Sequence, residues 1–256
     1  AGKNADRRAA EYANAIGATS TLDENGRLSL VFASGKQVTD DGLANFKDCR
    51  ALQKLVLTST PVTGTGFSHL KDCTQLSELA LMNSQMGNAG LVHMKEFPNL
   101  TLLDLVNTNV TEDGLRHLSG CTKLADMKLG HLKLTGSGLV HLKDCKNLAT
   151  LWLDHNSLTD ASLEQLKPLE NITNLGLNAT PLGNAALVHL KKLKKLTTLS
   201  LRETQVTDEG LSHLHGLKTL TSLDLGKTNV SAEGVAMLQK ELPLCEIRWD
   251  GAEPKK

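Results

Sequence analysis

Leu196 to Thr219 reads LTTLSLRETQVTDEGLSHLHGLKT, and the same 24-residue sentence is written again on both sides of it. Its first residue recurs as Leu52, Leu76, Leu100, Leu124, Leu148, Ile172 and Leu220, each 24 residues from the next with no insertion, and the pattern fades into Leu28 and Leu244. A chain that repeats itself at a fixed period of this size is an array of like units, each stacked on the one before.

Spacing alone builds one unit. Leu199 and Leu201 alternate with Ser200 and Arg202 at period two, which predicts a short strand. Thr204 and Val206 then lead into Thr207-Asp208, a helix N-cap pair. Leu211 and Leu214 follow at the i, i+3 spacing of a helical turn that buries one side. Strand, corner and helix make one coil, and one coil cannot cover its own leucines, so stability accumulates along the array. The predicted fold is a right-handed α/β horseshoe. About ten parallel strands line its concave face, spanning roughly 43 Å at the usual strand spacing of about 4.8 Å, and short helices form the convex face.

The segments TQVTDEGLSHL (204–214), NVTEDGLRHL (109–118) and QVTDDGLANF (37–46) resemble the leucine-rich repeats of planctomycete-type bacterial proteins. More loosely, they resemble the cysteine-containing repeats of F-box proteins. The resemblance covers roughly Leu28 to Asp250 and implies a solenoid that serves as a non-enzymatic binding scaffold without a cofactor. No F-box-like helical segment precedes the array, so a ubiquitin-ligase role is not expected.

Unbroken register across 256 residues predicts one elongated domain, divided as an N-terminal helical cap and turn at 1–27, the solenoid at 28–250 and a flexible tail at 251–256. Lys and Arg together number 28, as do Asp and Glu, so no bulk attraction to nucleic acid or an anionic membrane is implied. No apolar run approaches the roughly 18 residues of a membrane span, and the N-terminus lacks a signal-peptide core. A cytoplasmic chain and the mature form of an exported one both fit, and a monomer is expected.

Asn4 to Ile16 reads as a helix capped by Asn4, with Ala9, Tyr12, Ala13 and Ile16 on one face and Gly17 ending it. Thr19–Leu22 and Arg27–Phe32, joined by Asp23-Glu24-Asn25-Gly26, read as a hairpin or the first irregular coil. At the other end, Leu244, Ile247 and Trp249 take the strand leucine positions.

Cysteines and histidines obey the same register. Cys49, Cys73, Cys121 and Cys145 share one repeat position, filled in other coils by Phe97, Leu169, Leu193 and Leu217. Residues that exchange with Leu and Phe are small hydrophobes, so buried free thiols are expected rather than disulfides or a metal cluster. His69, His93, His117, His141, His189 and His213 form one column on the convex helix, a framework feature. Ser68-x-x-Lys71 lies in that same helix without companion acyl-enzyme motifs. The run Lys191, Lys192, Lys194, Lys195 surrounds a core leucine and reads as a solvated face.

The residues that the repeat does not dictate are the outward positions of the strands, and there the coils beginning at Leu124 and Leu148 depart from the chain's own pattern. Met127 replaces a strand leucine, Leu132 replaces the corner threonine, and Trp152, Asp154, His131 and His155 point outward. A one-residue slip would bury Trp152 only by exposing Leu151 and Leu153, so the tryptophan belongs on the concave surface. The candidate partner-binding set is therefore Trp152 as anchor with Asp104, Asp126, Lys128, His131, Asp154, His155 and Arg202 around it, meeting a protein or peptide. Two alternatives stand beside it. One is a metal site, or a metal-dependent enzyme, built from His131, Asp154 and His155, since neighbouring strands lie about 4.8 Å apart and zinc needs ligands at roughly 2.0 to 2.2 Å. The other is self-assembly through the terminal strands. No HExxH or GxSxG segment occurs, and no catalytic residues are assigned.

Overall fold

A computed structural model describes residues 2–251. Helix α1 (Gly2–Ala15) is followed by eleven strands in one sheet, in strict chain order: β1 (Thr19–Leu22), β2 (Leu28–Ser34), β3 (Lys54–Thr58), β4 (Glu78–Ala80), β5 (Leu102–Asp104), β6 (Asp126–Lys128), β7 (Thr150–Trp152), β8 (Asn174–Gly176), β9 (Thr198–Ser200), β10 (Ser222–Asp224) and β11 (Glu246–Arg248). Strand β1 is antiparallel to β2, and β2 to β11 are parallel. The sequence period becomes the sheet register: Leu175 pairs with Leu199 and Leu199 with Leu223. The result is an open α/β horseshoe, and its core is a stack of like layers. Leu196, Leu199, Leu201, Val206, Leu211, Leu214 and Leu217 of one coil are all buried.

Each of the strands β3 to β10 is followed by a residue in the left-handed region. Ser59, Asn83, Asn107, His131, His155, Ala179, Glu203 and Lys227, one per coil, have φ between 51° and 60°. Their backbones turn the chain out of the sheet while several still donate to the next coil, as His131 N does to Asp154 O at 3.0 Å and His155 N to Asn178 O at 2.8 Å. Asn and His tolerate this conformation better than most residues. One residue further on, in five of these coils, a threonine closes the corner, its hydroxyl donating to the carbonyl three residues back, as in Thr204 to Leu201.

Most convex segments are short 3₁₀ helices, among them Asp41–Phe46, Thr65–Leu70, Ser137–Leu142 and Asp160–Leu166. The tighter helix advances about 2.0 Å per residue and so crosses the back of a narrow coil with few residues. The N-cap expectation needs correction. Thr207 sits at the N-cap position, but its side chain makes no bond to its own helix. Thr207 Oγ1 instead accepts from Asn184 of the preceding coil, while the Asp208 carboxylate accepts from Ser231 of the next. Asp40 does likewise for Thr63, Gly64 and Gly66, and Glu112 for Thr135, Gly136 and Gly138. Satisfying orphan helix donors from the neighbouring coil locks the stacking register as well as the helix. Gly66 permits this closeness, because a Cβ there would collide with the backbone of Asp40.

All five cysteines are free and buried. Cys73 Sγ donates to Phe46 O at 3.4 Å and Cys145 Sγ to Leu118 O at 3.7 Å, so each thiol reaches back one coil.

At the N-terminal end α1 packs Ala9 and Ala13 on the first coil, and Tyr12 meets Phe46 edge-on with ring centroids 5.8 Å apart. Gly17, at φ 75°, ends the helix. The helix begins at Gly2, so Asn4 lies inside it and does not cap it. Buried Asp6 accepts from Leu28 N at 3.1 Å and ties helix to sheet. At the other end, Leu244 is 88% exposed while Cys245 is buried. Cys245 N donates to Leu242 O, the bond that Leu220 N makes to Leu217 O one coil earlier, so the chain leaving the longer helix Ala232–Glu241 arrives one residue out of phase and turns Leu244 outward. Residues 252–256, most of the segment expected to be a tail, lie outside the described residues. Among the described residues, no helix is long and apolar enough to cross a membrane.

Candidate functional site

Strand parity places Leu151 and Leu153 in the core and leaves Trp152 half-buried on the concave face. The neighbouring strand carries Gly176 at the paired position, and the six-membered ring of the indole fills the space that a Cβ on that glycine would need. The tryptophan therefore lies across β8. On its other flank Lys128 pairs with it in register and Gly130 follows. A recess of about 440 Å³ is bounded by Val106, Lys128, Gly130, His131, Trp152, Asp154, His155 and Asn178.

His131 and His155, both in the left-handed strand-end column, stack with ring centroids 4.1 Å apart and planes 13° from parallel. Burial pushes the Asp154 carboxyl above the usual carboxylate range, opposed by the 2.7 Å hydrogen bond that Asn178 N donates to its Oδ1. Asn178 Oδ1 in turn accepts from Arg202 N at 3.0 Å, so Asp154 and Asn178 form a rung along the face. Asp104 accepts from Val106 N at 3.1 Å and faces Lys128 Nζ at 3.9 Å. Burial also raises Asp126, which Lys128 lowers and Asp104 raises; its Oδ1 is covered and has no hydrogen-bond partner among the described residues.

The structure thus brings together Trp152, Asp154, His131, His155 and Lys128 from the set expected from sequence, with Asp104 and Asp126 beside them. Arg202 is not in the recess. Its guanidinium lies over Gly226, near Glu203 at 3.7 Å, two strands away. Val106, Asn178 and Gly130 line the recess, and Gly176 lies under the indole, without having been picked out; glycine in an outward column, where other coils carry side chains, was the available signal. No trio of His, Cys, Asp or Glu among the described residues converges as metal ligands. On the convex face, Lys195 Nζ binds Asn171 Oδ1 at 2.7 Å and Lys194 Nζ binds Gly216 O at 3.2 Å, so two of the four clustered lysines link neighbouring coils.

The family model described as Leucine Rich repeat matches residues 192–214 and 216–238. No curated protein matches the sequence. Among solved structures, the chain is similar to internalin C2 of Listeria monocytogenes str. 4b F2365, at 21% identity and TM-score 0.60 over 94% of this chain and 92% of that one. It is similar to the internalin inlF of the same strain at 18% identity and TM-score 0.51, over 82% and 71% of the two chains. It is similar to PEPR1 in the PEPR1-AtPEP1 structure at 19% identity and TM-score 0.56, over 90% of this chain and 36% of that one. At these identities the likeness is one of fold. With two coils matched by the family's own pattern and the others built in the same 24-residue register, the chain has the leucine-rich repeat fold.

Proposed function

We propose that the protein is a non-enzymatic scaffold whose concave sheet binds a protein or peptide segment, with Trp152 as the anchor and residues 1–27 closing the N-terminal end of the array. Solenoids of this kind use their concave surfaces for binding. The observation that carries the reading is the half-exposed indole lying over Gly176 in a recess ringed by charged and polar groups. Hot spots favour a large aromatic surrounded by polar residues, and a rigid sheet loses little order on binding. One of the structural neighbours is itself a pair, PEPR1-AtPEP1. A pull-down from the native source tests the proposal, with wild type, Trp152→Ala and the convex-face variant His141→Ala as baits. Recovered partners should disappear with Trp152→Ala and persist with His141→Ala. The reverse pattern would move the binding face to the helical side.

A further inference from the structure

The sheet around the recess is lopsided in charge. Asp154 and Lys128 line it, Asp104 and Asp126 stand beside it, and the Lys128 ammonium faces Asp104 at 3.9 Å, which leaves three carboxylates to one ammonium at this place on the sheet. Asp154 is left to the groove. Its Oδ1 is held by Asn178 N, while its Oδ2 lies 2.8 Å from the point where a Cβ on Gly176 would stand. The indole ring of Trp152 fills that same point, so a carboxylate oxygen and an aromatic surface are immediate neighbours at the floor of the recess. An aromatic plane beside a carboxylate suits a planar cation: guanidinium stacks on indole and hydrogen-bonds carboxylate through the same atoms. Lysine offers the charge without the plane.

The apolar residues of the concave face also indicate how long the occupant is. Phe32 and Met82 are 40% and 38% exposed, and with Val106 they lead from β2 towards Trp152 on β7. Five strand spacings make about 24 Å, the reach of about seven extended residues.

We propose that the recess takes the arginine side chain of an extended peptide segment, its guanidinium stacked on Trp152 and paired with Asp154, while flanking apolar residues run towards Met82 and Phe32. This rests on the concave face being the binding face.

The test uses the whole chain in a Trp249→Phe background, so that Trp152 is the fluorescent reporter. Four displayed libraries of nine-residue peptides, with Arg, Lys, Leu or Glu fixed at the centre and random flanks, are selected against it. Dissociation constants are then measured for the selected peptides. Arginine-centred peptides should dominate, change Trp152 emission and bind about ten-fold or more tightly than the same peptides carrying Leu at the centre. Asp154→Asn keeps the shape and the acceptor for Asn178 N and should lose about that factor, whereas Lys128→Ala should tighten binding by removing a competing cation. Leu- or Glu-centred peptides that bind in a Trp152-dependent way would overturn the arginine assignment and leave the concave reading standing. Peptides whose binding survives Trp152→Ala, or no selected peptide at all, would overturn both.

Discussion

Asn156 supplies to the preceding coil the hydrogen bond that Leu132 cannot make. In five other coils a threonine hydroxyl closes the corner, as Thr108 does on Leu105 O and Thr180 on Leu177 O. Leu132 stands at that position with no hydroxyl, and Leu129 O is met instead by Asn156 Nδ2 at 2.8 Å. The same amide donates to Leu153 O at 2.9 Å, and its Oδ1 accepts from Leu132 N and Leu134 N. One buried side chain therefore holds the two corners whose preceding residues are His131 and His155.

Asn156→Ala should cost about 3 kcal/mol, because several buried backbone groups lose their partner together. Asn156→Thr alone should repair only its own coil. Adding Leu132→Thr should restore the missing bond and recover stability, as urea unfolding of the single and double variants would show. Simple additivity of the two changes would mean that the corners are independent.

Asp40 gives the inter-coil ladder a pH signature. Burial raises its pKa, but the hydrogen bonds from Gly66, Thr63 and Gly64 outweigh this and hold it below the ordinary 3.8. A carboxyl lowered on folding stabilises above its unfolded pKa, and that contribution is lost as pH falls through the folded value. The unfolding midpoint of wild type should exceed that of Asp40→Ala at neutral pH, and the gap should shrink in acid below the carboxylate range. A gap unchanged down to about pH 2 would remove the charge from the account.

Asp154 has the opposite sign. Its folded pKa is raised, so its ionised form costs stability once pH rises above the unfolded carboxylate value, and the cost is present in full above the folded value. Asp154→Asn should therefore raise the thermal midpoint of the free protein at neutral pH while weakening binding. A lower midpoint would make Asp154 a structural residue rather than one held ready for a ligand.

The thiols should be inert. Burial pushes Cys73 and Cys145 up to about 12 and Cys121 to about 11, and Cys49 is pushed up by burial with help from the Asp6 charge. With so little thiolate, reaction with a disulfide reagent at mildly alkaline pH should be slow in the native protein and fast in urea. Rapid native labelling, or a Cys49 to Cys73 bridge in non-reducing peptide maps, would contradict this.

The sequence made the layered core legible because each core position is tested once per coil: Cys73 where another coil has Phe97 could only be core. Trp152 was legible through parity, since Leu151 and Leu153 left it one face. The carboxylate ladder was hidden because Asp208 next to Thr207 has the local signature of a cap, and nothing local reveals that its partner, Ser231, is a coil away. The role of Asn156 was equally non-local, and Arg202 looked equivalent to Asp154 because column membership says nothing of how far along the sheet two residues stand. Leu244 failed for a geometric reason, as a full α-helix replaced the shorter turn and shifted the phase by one residue.

Trp152 is proposed to serve binding and its neighbour Leu151 to serve folding, and both quantities can be taken from the same preparations. For wild type, Trp152→Ala and Leu151→Ala, affinity for the recovered partner is measured alongside the urea unfolding midpoint. Trp152→Ala should lose roughly 2 kcal/mol or more of binding with a nearly unchanged midpoint, and Leu151→Ala should lose about 2 to 5 kcal/mol of stability. A Trp152→Ala protein that binds like wild type, or that unfolds as readily as Leu151→Ala, would contradict the account.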